Sequence, residues 1–285
     1  KSITDPNAVI IALTTGEVDL YLDSIPPIAV EPIQNNKNLR IVSVTPKKLF
    51  YLFMNNEHGP FTDIRLRKAI AYSVDREKLV EIGTESYGYP VFYPGACGYV
   101  GDPGLDVKYS IDIEKAKQLV KEAGMQGKTI TLSLENTSPL PLLATALQHD
   151  LSKIGLNVEI QPLEVNTYLQ DVYTQGKFEI AVSYSTAKTK DMDTVWTMMC
   201  TCPFIGSGNS ARYCNPALDK ILEMARMEQS IDKRKQYYAK AINIFIEDVP
   251  WLPLYYEYST RVHSKRLYVD EGLAEFDNLY YYKWQ

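Results

Sequence analysis

The sequence predicts a mixed α/β fold, in which helices flank one sheet and a small β-rich part is built from both ends of the chain. Three observations in its 285 residues carry that expectation. Between positions 129 and 184, strand patterns alternate with amphipathic helical patterns, as they do in α/β proteins. Leu49 to Met54 is a continuous apolar run, the pattern of a strand buried on both faces. A second such passage, Trp251 to Tyr258, follows the last long helical pattern and returns the chain to strand.

In chain order, residues 8 to 22 (AVIIALTTGEVDLYL) read as an apolar helix stopped near Gly16, then a short strand at Val18 to Tyr21. The stretch holding Pro26, Pro27 and Pro32 reads as irregular. Leu39 to Val44 alternates and is a strand. Phe61, Thr62 and Asp63 precede a helix whose Ile64, Leu66, Ala69, Ile70 and Val74 keep helical spacing, and Asp75 caps a second one ending at Gly83. Pro90 to Tyr109 holds too many Gly and Pro residues for regular structure; a loop of this length is functional or pinned, and Cys97 is the candidate pin. Ser110 and Asp112 open a helix that stops at Gly124. Strands at Thr129 to Leu134, Asn157 to Pro162 and Phe178 to Tyr184 then alternate with helices at Leu140 to Ile154 and Thr167 to Gln175. Asn215 and Pro216 begin a helix running to Gln229, and Asp232 caps a longer one that Pro250 stops. If the passages near 53 and 255 belong to one hinge, residues 1–53 and 255–285 form one lobe and 54–254 the other.

Bulk properties exclude several classes. Thirty basic and thirty-five acidic side chains give a formal charge of -5 without a Lys/Arg block of the kind that neutralises phosphates, so nucleic acid is not an expected partner. No apolar run approaches the roughly 20 residues of a membrane-spanning helix. The chain opens at Lys1 without methionine, as a processed or truncated chain does, so the lack of a signal peptide carries no weight. Tyrosine is in excess, at 21 residues, which hints at a ring-lined ligand surface.

Catalysis finds little support. His58, His149 and His263 lie far apart, and the Gly/Ser-rich stretch 206–210 reads as a loop rather than a nucleophile elbow. Met198, Met199, Cys200 and Cys202, with Cys214 beyond, form a soft-ligand cluster that a thiophilic metal would suit. The competing reading is a disulfide from Cys214 to Cys200 or Cys202, closing a loop of about a dozen residues for about 3 kcal/mol on the chain-entropy account. Cys97 then pairs with the remaining thiol or stays free. An even cysteine count in a Gly/Ser/Asn-rich loop fits an oxidising compartment.

Read in order, ALTTGEVD, YLFMNN, FTDIRLRKAIAYSVDREKLV, YSIDIEKAKQLVKEAG, GLNVEIQPLEVNTYLQDVYTQGKFEIAVSY, ARYCNPALDKILEMA and RKQYYAKAINIFIEDVPWLPLYY closely resemble bacterial extracellular solute-binding proteins of the peptide/nickel class. The resemblance implies a two-lobed, extracytoplasmic receptor of an ABC importer that closes on a small ligand and hands it to permease subunits, without a cofactor. It covers only the second half of such proteins: one complete lobe and flanking strands of the other. The portion before it would carry the signal and, where present, a lipid anchor. A nickel or metal-chelate receptor of the same family, and an enzyme built on the same scaffold, are the alternatives.

What the resemblance implies for the site is partly missing. The segment from Tyr184 to Asp193 falls where relatives carry a ligand loop, with Tyr184 in place of a tryptophan and Ala187 in place of the aspartate that anchors a peptide ammonium. Ser138 to Leu142 lacks the arginine that dipeptide binders keep for the ligand carboxylate. Asp191 or Asp193 would substitute if the loop bends inward. The resemblance also favours the disulfide over the metal, because several dipeptide-binding relatives have a cysteine pair here. Arg65 and Arg67 read as structural, pairing with Asp63 or Asp75 or facing water. Tyr255 and Tyr256 alternate in facing, one toward the core and one toward ligand. The candidate ligand-binding set is Asn55, Tyr184, Thr186, Asp191, Trp196 and Tyr256, with Cys97, Cys200, Cys202 and Cys214 as the cysteines to be paired.

Overall fold

The apolar run at 49–54 forms the strand around which most of the chain is arranged. The structure, a computed structural model, describes every residue except 1, 2, 4, 23, 24, 26, 45, 47, 108, 270–281 and 285. Two units result: Lys1–Pro46 with Glu257–Gln285, and Lys47–Tyr256. The division falls at 46/47 and 256/257, against the expected 53 and 254. The reason is that the strand at 48–54 pairs along its whole length with partners of the second unit.

The first unit begins with α1 (Pro6–Thr15), which the Asp5 carboxylate caps by accepting from the Ala8 N–H. Gly16 ends it at φ 77, a left-handed conformation that glycine adopts without a Cβ penalty. The strand β1 (Leu20–Tyr21) follows, then α2 (Pro27–Gln34) and β2 (Leu39–Val44). The helix α2 lies where irregular chain was expected. Pro32 removes one helical hydrogen bond, yet Ala29 and Ile33 are wholly buried among Val9, Leu13 and Ile25, and that burial outweighs the break.

The second unit opens with β3 (Lys48–Met54), in which every side chain from Leu49 to Met54 is buried. Next come α3 (Ile64–Ser73), capped by Asp63, and α4 (Arg76–Thr84), capped by Asp75 as expected, then β4 (Gly88–Pro90) and α5 (Ile113–Glu122), capped by Asp112. The alternating part follows as β5 (Thr129–Glu135), α6 (Leu140–Ser152), β6 (Asn157–Leu163), α7 (Val165–Tyr168) and β7 (Ile180–Thr186). A wider-wound helical turn through Gln175 continues α7. Then α8 (Met192–Cys200), α9 (Pro216–Met227), α10 (Ile231–Asp248) and β8 (Trp251–Glu257) complete the unit. Ser230 caps α10 where Asp232 was expected; Asp232 lies in the helix's first turn. Back in the first unit, β9 (Ser259–Ser264) lies between β1 and β2, and β10 (Leu267–Val269) pairs with β11 (Tyr282–Trp284).

The large sheet runs β4-β8-β3-β7-β5-β6. It is mixed, because β3 is antiparallel to β7 and β8 while β5 is parallel to β6 and β7. Strand alternation divides the buried side chains into two cores. Phe50, Leu52 and Met54 pack with α3, α4 and α6, and the Phe50 ring stacks on Tyr255 at 4.5 Å. Leu49, Tyr51 and Phe53 pack on the other face with α8, α9 and α10, where Trp251 lies edge-on to Phe53 and Phe245.

Arg65 and Arg67 divide their roles. Arg65 pairs with Asp63 at the surface. Arg67, expected to pair with an aspartate or face water, is buried and donates to four carbonyl oxygens, those of Phe61, Thr62, Asp248 and Val249. Two of these close the C-terminus of α10, where carbonyls lack helical partners and carry partial negative charge. Arg67→Ala should therefore lower unfolding stability by about 3 kcal/mol or more in urea titration, because buried carbonyls lose charge-assisted donors. Arg65→Ala should leave the midpoint nearly unmoved.

Candidate functional site

Along β7, Ile180, Val182 and Tyr184 face the α3/α4/α6 core, and Ala181, Ser183 and Ser185 face the other way. Antiparallel register sets Tyr51 of β3 opposite Ser183. Their side chains meet Tyr173: the Tyr51 and Tyr173 hydroxyls are 2.9 Å apart, and the Tyr173 hydroxyl is 3.4 Å from Ser183 Oγ. Burial holds the Tyr51 phenol well above its ordinary pKa, with the neighbouring Tyr173 and Tyr168 adding to it, so the group stays a neutral donor and acceptor.

A pocket of about 150 Å³ opens beside these rings, walled by Tyr51, Tyr173, Thr186, Lys188, Met198 and Met199. That volume suits one side-chain-sized apolar group; cavities of about this size take up benzene. Met198 and Met199 give a wall that adapts to the shape of what enters. The wide turn after α7 carries Tyr173 in, and α8 carries the two methionines.

The residues singled out from sequence are placed as follows. Thr186 lines the pocket. Tyr184 lies two residues before it in the strand direction but faces the opposite core, 5.4 Å from the Phe50 ring, with Lys48 Nζ 4.9 Å from its own ring centre. Asn55 is buried as β3 ends; its amide donates to the Gly176 and Phe178 carbonyls and accepts from the Glu57 and His58 N–H groups. Trp196 has no exposed surface, and its indole N–H donates to the Pro94 carbonyl at 2.8 Å. Tyr256 is buried near Tyr89 and Tyr99, in the core opposite Tyr255. In the second unit, then, Asn55, Trp196 and Tyr256 belong to the framework behind the pocket. His58 and His149 are exposed, and His263 is buried in the first unit.

Asp191 caps α8 and pairs with Arg234 through both oxygens, at 2.6 and 2.9 Å. Asp193 receives Arg226 and the Thr197 hydroxyl. Both carboxylates are thus committed to joining α8 to α9 and α10, not turned toward the pocket as substitute anchors. Burial pushes the Asp191 carboxyl up, but the hydrogen bonds from Arg234 and the Asp193 amide, with the Arg234 charge, hold it below its usual value. A depressed folded pKa gives stability that is present above the unfolded pKa and fades as pH falls through the folded one.

The disulfide joins Cys202 to Cys214, with a separation of 12 residues, which corresponds to about 3 kcal/mol on the chain-entropy account. Cys200 is buried, and burial pushes its thiol well up. Cys97 is exposed and free, so it does not pin the 90–109 loop. Hydrogen bonds do that instead: Trp196 to Pro94, Tyr93 to Asp102, and Val100 to the backbone of Lys190 and Met192. With Cys202 bridged, the soft-ligand cluster is broken up. Among the described residues no three His, Cys, Asp or Glu side chains gather as metal ligands.

The sequence did not single out Tyr51, Tyr173 or Lys188, which wall the pocket. Alternation from Leu49 would have set Tyr51 and Ser183 on one face, but Tyr173 arrives through a wound turn with no strand or ordinary helix period.

Residues 1–207 match the family described as bacterial extracellular solute-binding proteins, family 5 middle, and the chain belongs to that extracytoplasmic family. It is 27% identical over 256 residues to di/tripeptide-binding protein 2 of Pseudomonas aeruginosa, covering 88% of this chain and 48% of that protein. It is 28% identical over 283 residues to the glutathione-binding protein GsiB of Salmonella paratyphi A, covering 94% and 53%. The chain therefore spans about half the length of these curated relatives. In fold it matches the ABC transporter-associated periplasmic binding protein DppA of Helicobacter pylori, solved with the peptide STSA, at a TM-score of 0.82 and 24% identity, over 100% of this chain and 56% of that one.

The assignment of Asp191 to the framework is directly measurable. Asp191→Asn should cost about 1–2 kcal/mol of stability at neutral pH, and the difference from wild type should shrink as pH falls below the ordinary carboxylate range. A variant of unchanged stability at pH 7 would return Asp191 to the list of candidate anchors.

Proposed function

We propose that this chain forms part of a non-catalytic receptor that binds a peptide-like small solute outside the cytoplasmic membrane and delivers it to the permease of an ABC importer. The observation that carries this is the pocket at the end of β7. It offers an adaptable apolar wall and fixed hydroxyls, the makings of a recognition site, and it holds no histidine or thiol nucleophile. The peptide, tripeptide and glutathione binding named for its relatives supports a solute with peptide character. The permease is proposed on the same ground, from the transporter association named for the matched fold.

Native mass spectrometry of the protein purified without denaturation tests this. The expected result is a co-purified solute of low mass, released intact on unfolding and unchanged after prolonged incubation with the protein. Conversion of that solute into a product over time would contradict the receptor assignment and favour an enzyme on this scaffold.

A further inference from the structure

Two oppositely charged side chains near Tyr173 have no hydrogen-bond or ion-pair partner among the described residues. The first is Glu135, the last residue of β5. Parallel register puts Leu134 beside Val182 of β7, so Glu135 follows alongside Ser183. Ile130, Leu132 and Leu134 point into the α3/α4/α6 core, which leaves Glu135 on the opposite face, the face of Ser183 and Ser185. It is half-buried, and its carboxylate makes no hydrogen bond or ion pair among the described residues. The second is Lys188, two residues beyond β7, which is exposed at the pocket wall and also lacks a partner among the described residues.

We propose that Glu135 and Lys188 are the two charge anchors of the solute site, with Glu135 taking the solute's ammonium and Lys188 its carboxylate. This rests on the receptor assignment above. Tyr173 ties the two positions together. Its ring lines the pocket that Lys188 borders, and its hydroxyl lies 3.4 Å from Ser183 Oγ, beside which Glu135 emerges. Burial pushes the Tyr173 phenol up and the Glu135 charge pushes it further, so the carboxylate acts on a ring that walls the pocket.

The neighbouring acids do not compete, since Asp191 is paired with Arg234 and Asp193 with Arg226. A half-buried carboxylate with no counter-charge is unfavourable, and an arriving ammonium relieves that cost through a charge-assisted hydrogen bond. The signs are the reverse of those implied by resemblance for these loops, where Ala187 and Ser138 to Leu142 lack the expected acid and arginine. A solute held this way enters in the opposite sense, its amino end toward β5 and its acid end toward the loop after β7.

Calorimetry on the purified chain with three probes tests this: a free dipeptide of small and apolar residues, its N-acetyl derivative and its C-terminal amide. For wild type, acetylation and amidation should each weaken binding about tenfold or more, the loss of one desolvated ion pair. In Glu135→Gln the free and acetylated forms should bind alike, and in Lys188→Ala the free and amidated forms should. Thermal melts confirm that both variants fold. Discrimination that survives in either variant would overturn the anchor assigned to that residue, and wild-type binding indifferent to both caps would overturn the pair while leaving the receptor assignment standing. Failure of wild type to bind any probe would overturn the peptide-receptor assignment and the anchors together.

Discussion

Burial of β3 on both faces is the constraint on which the second unit depends. Six consecutive side chains, Leu49 to Met54, are removed from water, and each must be met by apolar partners on its own side of the sheet. That requirement creates the two cores. It also forces the strand to find hydrogen-bonding neighbours on both edges, which β7 and β8 supply. Because side chains alternate, the choice of Tyr at 51 rather than a purely apolar residue puts a hydroxyl into the second core, where it needs a partner. Tyr173, itself a wall of the pocket, provides it, and Ser183 extends the chain of hydroxyls along β7.

The pocket exists because α8 is held away from the end of β7 by a framework of fixed polar contacts. Asp191 with Arg234 and Asp193 with Arg226 fasten the start of α8, the indole of Trp196 fastens the 90–109 loop, and the Cys202–Cys214 bridge closes the chain after α8. Met198 and Met199 are thereby presented to Tyr51 and Tyr173 across a gap of one side chain's volume. Several residues that looked like ligand contacts are the parts of this framework.

Much of this was legible in the sequence, for reasons that can be named. The helix starts at Asp63, Asp75 and Asp112 were readable because capping is local, and the Leu49 to Met54 strand because a buried strand needs an unbroken apolar run. Helix α2 was not, because proline spacing argued against it and only tertiary burial of Ala29 and Ile33 argued for it. Thr186, singled out within the ligand-loop resemblance, lines the pocket. Glu135, the proposed ammonium anchor, lies one residue past the expected strand end at Leu134, and its neighbour Ser183 is some fifty positions away in sequence. Arg67 looked like a surface partner for an aspartate because four carbonyl acceptors, two of them at the end of α10, leave no mark in composition or spacing.

On the proposed reading, solute engages the ends of β5 and β7 around Tyr173 while the framework behind them stays fixed. Amide hydrogen exchange of the protein with and without its co-purified solute measures this directly. Slowed exchange on binding is expected at residues 135–138 and 185–190, with β3 and the middle of α10 unchanged. Saturating solute that leaves those two segments unaffected, and slows exchange elsewhere in the second unit, would contradict it.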